Sequence, residues 1–293
     1  MVRALEEASV KASPECVPCI VGQVLRVARQ VTGDEWLQRR ILREAMRHLA
    51  KTDIDRTPAE IIPEVERLAH RALGTHDPFA QVRAAMRSAA RALEPEVRAR
   101  VEASDEPLRT ALRAAIGANV LDAVVFGPVP LERAVREAIE GGLAEEAYEA
   151  LRTDLEGASS VLYVCDSAGE LVFDRIVMER LVERGKAVSC AVRRERMLND
   201  AVREDAEALG IGEIAELVDI GAEAMGAPLA LASSEFRARF QAADVVLAKG
   251  SANFETLGQE GGRCYFGLRV KCAVMGRVLG AGVGDALLLR AGD

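Results

Sequence analysis

The sequence predicts an α/β protein, a mostly parallel sheet preceded by an N-terminal α-helical bundle, and three observations carry that reading. From Cys16 to Leu155 nearly every segment has helical periodicity, and strand signals are almost absent. After Gly157 short apolar runs alternate with helical stretches, the pattern of βαβ units. Within "SSVLYVCDSAGELVFDRIVMERLVERGK", which begins at Ser159, a run of β-formers from Val161 to Cys165 stops at Asp166 and turns at once into a helix pattern.

In the N-terminal half the stops are "TGD" at 32, "TDIDRTP" at 52, "GTHDP" at 74 and "FGPVP" at 126. Between the first two, Trp36, Leu37, Ile41, Leu42, Ala45 and Leu49 are expected on one face of a helix. Thr57, Pro58 and Glu60 form an N-terminal capping signature for the next helix. Arg- and Ala-rich stretches such as "VRAAMRSAARAL" read as solvated helix faces. In the C-terminal half the expected strands are "VLYVCD", "AVSCAV", "AELVDI", "DVVLAKG", "CYFGLRV" and a final "ALLLR". The pattern changes near Glu156, which divides the chain into a helical part, 1–156, and an α/β part, 157–293.

The chain has 293 residues, of which 49% are hydrophobic and 29% charged, enough apolar material for a sizeable core in one large or two modest domains. Its net charge of −8 argues against nucleic acid or an anionic membrane surface as partner, since neither attracts an acidic surface. No apolar run reaches the roughly 18 residues needed to cross a bilayer. The first residues are charged where a signal peptide would be apolar, so a cytoplasmic location is expected. Six scattered cysteines are too few for a disulfide framework and suit a reducing compartment.

Four constellations could carry chemistry. Asp166 stands at the carboxyl end of the first strand, where open parallel sheets bind ligands, with Ser167 beside it and Glu170 near the following helix. Oxygen donors there suit a hard divalent cation, and they equally suit a helix cap. Asn199 and Asp200 fall near the end of the second strand. If the two strands are neighbours, Asp166 and Asp200 share one rim and could share one ion, although capping explains them too. In "VVLAKGSANFETLGQEGG" a buried strand delivers Lys249 to its tip, Gly250 and Ser251 turn, and Asn253 and Glu255 begin a helix. Turn amides with a lysine make a phosphate cradle, or an ordinary strand-turn-helix corner. "CVPC", Cys16 to Cys19, could be half a zinc site or a redox pair, with Cys272 as its plausible distant partner, and ordinary packing explains it equally simply.

Taken in order, C-x-x-C, "TPAEI", "DPF", N-x-x-D, "CDSAGELVFD", "NDA", "KGSANFE" and "LRVKC" resemble the damage-control phosphatase family, the acidic-residue-methyltransferase-like metal-binding domain. The likeness runs from Cys16 to Cys272 and is nearest the small microbial branch with an N-terminal cysteine pair. It implies a Rossmann-like α/β/α sandwich beside the helical part. It implies a metal-dependent phosphatase acting on small phosphorylated metabolites, such as sugar phosphates or damaged phospho-metabolites, with Mg²⁺, Mn²⁺, Co²⁺ or Ni²⁺ as cofactor. The family's metal site falls on Asp166, Ser167 and Asp200, with Ser167 where the family usually has Asn. Its phosphate-binding element falls on Lys249, Gly250, Asn253 and Glu255. Its helical-part motifs fall on Asp77, Pro78, Phe79 and Arg83, with Phe79 and Arg83 where the family has Tyr and Lys, and on Gly117, Asn119 and Asp122, the second motif with Ala118 inserted. The implied mechanism puts the ion on Asp166 and Asp200 against a phosphate oxygen, with Lys249 and the Gly250 to Asn253 amides neutralising the rest. Glu170 or Glu255 then manages protons. Two other readings stand beside it: an S-adenosylmethionine-dependent carboxyl methyltransferase, and a non-catalytic metal or thiol-cluster protein centred on Cys16, Cys19 and Cys272.

Overall fold

A computed structural model describes residues 10–74, 77–120, 130–141, 143–221 and 224–292. Asp122, His76 and most of the "FGPVP" stop lie outside them. The six apolar runs of the C-terminal half are the six strands: β1 Ser160–Val164, β2 Ala187–Val192, β3 Glu216–Asp219, β4 Val245–Lys249, β5 Cys264–Arg269 and β6 Ala286–Arg290. Their spatial order is β3-β2-β1-β4-β5-β6. The first five run parallel, and β6 closes the edge antiparallel to β5. The chain leaves β1 toward β2 and β3, then returns to the other side of β1 as β4. Such a switch point opens a crevice beyond the carboxyl ends of β1 and β4.

Both faces of the sheet are covered. Val161 and Tyr163 of β1 join Val245 and Leu247 of β4 in a core with the helices α4 Ala80–Glu102, α5 Pro107–Gly117, α6 Leu131–Gly141, α7 Glu145–Gly157 and α8 Leu171–Glu183. Leu162, Val164, Val246 and Ala248 face the opposite way, into a core with the helices at Ser234–Ala242, Ser251–Leu257 and Ala273–Leu279. Side chains that alternate between two apolar layers explain why these strands read as continuous hydrophobic runs. Helices α5 and α6 and nearly all of α7 come from the segment before Glu156, and their apolar faces are continuous with the sheet's core.

A separate apolar cluster joins α1 Cys16–Val31, α2 Glu35–Leu49 and α3 Pro58–Leu73 through Ile20, Val24, Ile41, Ala45, Ile61 and Val65. The cap at Thr57 forms as the sequence predicts: its hydroxyl accepts from Glu60 N at 3.3 Å while its own N donates to Glu60 Oε2 at 2.9 Å. Trp36 corrects the expected face of α2. It is 67% exposed and lies under the Arg40 guanidinium, 5.3 Å away. Five residues before Ile41 places it about 140° round the helix from the buried stripe. Among the described residues no helix is long and apolar enough to cross a membrane.

Candidate active site

Beyond the end of β1 the backbone of Asp166, Ser167 and Ala168 lies against Asn199, Asp200 and Ala201. Ala201 N donates to Asp166 O at 2.9 Å and Ala168 N to Asn199 O at 2.8 Å, with Ser167 and Asp200 as bridge partners. These contacts bring the two acidic residues, 34 positions apart in the sequence, to one rim of the sheet. Asp166, Ser167, Asn199 and Asp200 all line one cavity of about 230 Å³. Ser251, Glu255 and Lys271 complete its polar end, and α1, α3 and the Cys272–Met275 corner supply a largely apolar wall.

Asp166 is held from behind. Its Oδ2 accepts from Asn119 Nδ2 at 2.9 Å, and Lys271 Nζ stands 3.6 Å from the same oxygen. Gly250 passes beneath it at φ +82°, and a Cβ there would lie 2.0 Å from Asp166 Oδ2. Only glycine satisfies both the backbone angle and that approach. Asp200 faces Arg193 Nε at 3.3 Å, both side chains being buried. The Ser167 hydroxyl donates to Glu170 Oε1 at 2.5 Å, which leaves its oxygen lone pairs for another partner.

Behind this wall lies a fully buried polar chain. Glu170 Oε1 accepts from Asn119 Nδ2 at 2.8 Å, and Glu170 Oε2 accepts from Lys249 Nζ at 2.8 Å. Lys249 also donates to Asp174 Oδ1 at 2.9 Å and to the Ala115 carbonyl at 2.9 Å, and Tyr163 OH donates to Asp174 at 2.6 Å. Burial pushes the carboxyls of Glu170 and Asp174 up, with Lys249 pulling against it. Burial acts to lower the Lys249 ammonium, but Asp174 and Glu170 outweigh it and hold it above its ordinary range.

This geometry places four of the expected site residues, Lys249, Asn253, Asn119 and Glu170, behind the cavity wall. Lys249 is wholly buried and spends its donors on Glu170, Asp174 and Ala115, so it braces the acidic wall from behind. Asn253 is also inside, its Nδ2 donating to Lys249 O at 2.7 Å and Cys165 O at 3.1 Å. Asn119 braces Asp166 and Glu170 and accepts from Arg269 N at 3.1 Å, with no exposure of its own. Glu170, equally enclosed, positions Ser167 and Asn119; of the two proton carriers expected, Glu255 is the one on the cavity wall. Burial raises the Glu255 carboxyl to about 7, while the Ala59 amide, donating to Oε2 at 3.1 Å, pulls it down. The cavity's lysine is Lys271, which sits just past β5. The same reasoning that picked out Lys249, a cation at the carboxyl tip of a buried strand, would have found it.

Cys16, Cys19 and Cys272 also line the cavity, so the sequence-distant thiol stands on the wall that carries the C-x-x-C pair. Burial raises the Cys19 thiol, and Cys272 and Cys16 raise it further. Among the described residues no group of three or more His, Cys, Asp or Glu side chains is arranged to hold a metal ion. Two buried carboxylates and a hydroxyl on one wall are nonetheless hard oxygen donors, a chemistry that fits a divalent cation.

The fold and this cavity define a parallel-sheet protein whose acidic oxygen site lies at the topological switch point. The sequence matches the family model described as the damage-control phosphatase ARMT1-like domain over residues 12–287, and the chain belongs to that family. It is 32% identical to a damage-control phosphatase of Archaeoglobus fulgidus over 281 residues, covering 94% of this chain and 98% of that one. It is 30% identical to a damage-control phosphatase of Pyrococcus horikoshii over 285 residues, covering 96% and 98%. The crystal structure of a DUF89 family protein from Pyrococcus horikoshii superposes with a TM-score of 0.86 at 30% identity, covering 96% of this chain and 99% of that one.

Proposed function

We propose that this protein hydrolyses phosphate monoesters of small metabolites, sugar phosphates or damaged phospho-metabolites, with a divalent cation held by Asp166, Ser167 and Asp200. The observation that carries the reading is the meeting of these three oxygen donors with Lys271 in one cavity at the strand ends. Family membership and the names of the two archaeal relatives support it. A bound Mg²⁺, Mn²⁺, Co²⁺ or Ni²⁺ would neutralise phosphate charge and lower the pKa of a coordinated water.

The protein's own groups supply the rest. Lys271, its ammonium against Asp166, offers positive charge to the phosphoryl oxygens as charge develops on them. Asn119 and Glu170 fix the rotamers of Asp166 and Ser167, so the donors need no reorganisation. Glu255, whose buried carboxyl is pushed up to about 7, is protonated in roughly half of the molecules at neutral pH and can give that proton to the departing alkoxide. Water replaces the alkoxide on phosphorus, and the products are the alcohol and inorganic phosphate. The apolar wall receives the organic part of the ester.

The test is a screen of chelator-stripped protein against phosphorylated metabolites with each of the four cations added back, beside Asp200→Ala. Hydrolysis that depends on an added cation and vanishes in the variant is the expected result. Hydrolysis without a cation, or undiminished in Asp200→Ala, would refute the proposal, and methyl transfer to carboxyl groups without hydrolysis would replace it.

A further inference from the structure

The segment that carries Asp200 is fastened to α4 by a ladder of arginines. Arg83, Arg87 and Arg91 recur every four residues and so lie along one face of the helix. Arg83 Nη1 donates to Leu198 O at 3.0 Å, Arg87 Nη1 stands 3.3 Å from Asp205 Oδ1, and Arg91 Nη2 donates to Ala208 O at 3.1 Å. From the other side Arg196 Nη1 bonds Asp205 Oδ2 at 2.6 Å and the Asp200 carbonyl at 3.2 Å. The stretch "VRAAMRSAAR", which reads as a solvated face in the sequence, is therefore a docking edge for the loop that completes the site and for the short helix Arg203–Ala208 that follows it.

Arg83 is the rung nearest the chemistry. It is 8% exposed, far below what an arginine on a free helix face would show, and its second nitrogen is ion-paired with Asp77. Its acceptor, Leu198, has φ +52°, the one non-glycine residue among those described with a positive φ. A leucine held in the left-handed region is strained, and such strain persists only where the surroundings over-determine it. Here the surroundings are the guanidinium on the carbonyl and the packing of the Leu198 side chain with Phe79 and Val27. The next two residues are Asn199 and Asp200.

We propose that Arg83 is a positioning residue: anchored by Asp77, it holds the carbonyl of strained Leu198 and so fixes the Asn199–Asp200 corner against Asp166. Without it Leu198 relaxes toward negative φ, the peptide between Leu198 and Asn199 turns, and Asp200 leaves the cavity wall. The consequence for catalysis rests on the phosphatase reading above; the clamp itself does not.

The test compares wild type with Arg83→Gln and Arg83→Lys by hydrogen–deuterium exchange, Mn²⁺ titration and hydrolysis of p-nitrophenyl phosphate. In Arg83→Gln the amides of Ala168, Asp200 and Ala201 should exchange about tenfold faster while those of α4 keep their protection. Mn²⁺ should bind about tenfold more weakly, and kcat should fall about tenfold with KM little changed. Added guanidinium should restore part of the activity, and Arg83→Lys, which keeps a donor and a charge, should stay near wild type. Unchanged exchange at 197–201, or loss of protection spread along the whole of Ala80–Glu102, would overturn the clamp. If wild type hydrolyses no ester, the phosphatase reading fails, and the exchange data still decide what Arg83 does.

Discussion

Lys249 and Glu170 form an ion pair 2.8 Å long with both side chains entirely out of solvent, one layer behind the wall that carries Asp166. A buried charge with its partner removed is far more costly than the same pair is stabilising. Lys249→Met leaves Glu170 and Asp174 facing each other without a cation, and it should cost about 3–5 kcal/mol in urea denaturation. Lys271→Met should behave in the opposite way, with a raised KM for phosphate esters and less than half that loss of stability. Steady-state kinetics and denaturation of the two variants separate bracing from substrate contact.

Gly250→Ala should damage the site without touching a proposed ligand. The new methyl would occupy the space of the Asp166 carboxylate, and the residue would have to hold φ +82°. Activity should drop at least about a hundredfold, and the melting temperature should fall by several degrees, as for a substitution costing roughly 1–3 kcal/mol.

Glu255→Gln should change the pH profile. With a pKa near 7 the wild-type carboxyl loses its proton as pH rises through neutrality, so kcat for esters of poor leaving groups should decline above about pH 7. The variant should be slow at every pH and lack that limb. A limb that survives in the variant would assign it to another group.

Glu66 should govern a pH dependence of stability remote from the site. It is buried in α3, neither carboxyl oxygen accepts a hydrogen bond from a described residue, and His70 Nε2 stands 3.8 Å away. Burial pushes its carboxyl up to about 8 from an ordinary 4.5. A raised folded-state pKa means that its contribution is intact below about pH 4.5 and is lost as pH rises through about 8. Glu66→Gln should therefore gain on wild type across that window, by on the order of a few kcal/mol at its upper end. A difference between the two proteins that stays flat with pH would show that Glu66 titrates normally.

The sheet was legible because each strand is a short apolar run between turn signals, and a sheet covered on both faces requires that pattern. The placement of Asp166 and Asp200 followed from the same logic, since parallel strands end on one rim. The inward placement of Lys249 follows from strand parity: Val245, Leu247 and Lys249 alternate onto one face, and that face packs on the helices α4 to α8, so the ammonium enters the interior. Asn119 and Arg83 were matched by motif alone, and their roles depend on contacts across 47 and 115 residues, which no local pattern encodes. The arginines of α4 were unreadable for a related reason, because a four-residue repeat of charge looks the same on a solvated face and on a docked one.

Calorimetric titration of the chelator-stripped protein with Mn²⁺ asks directly whether the rim binds a cation. One ion per chain should bind to wild type, with binding lost in Asp166→Asn and in Asp200→Asn while both variants keep their far-ultraviolet circular dichroism. Undiminished affinity in either folded variant would place the ion elsewhere.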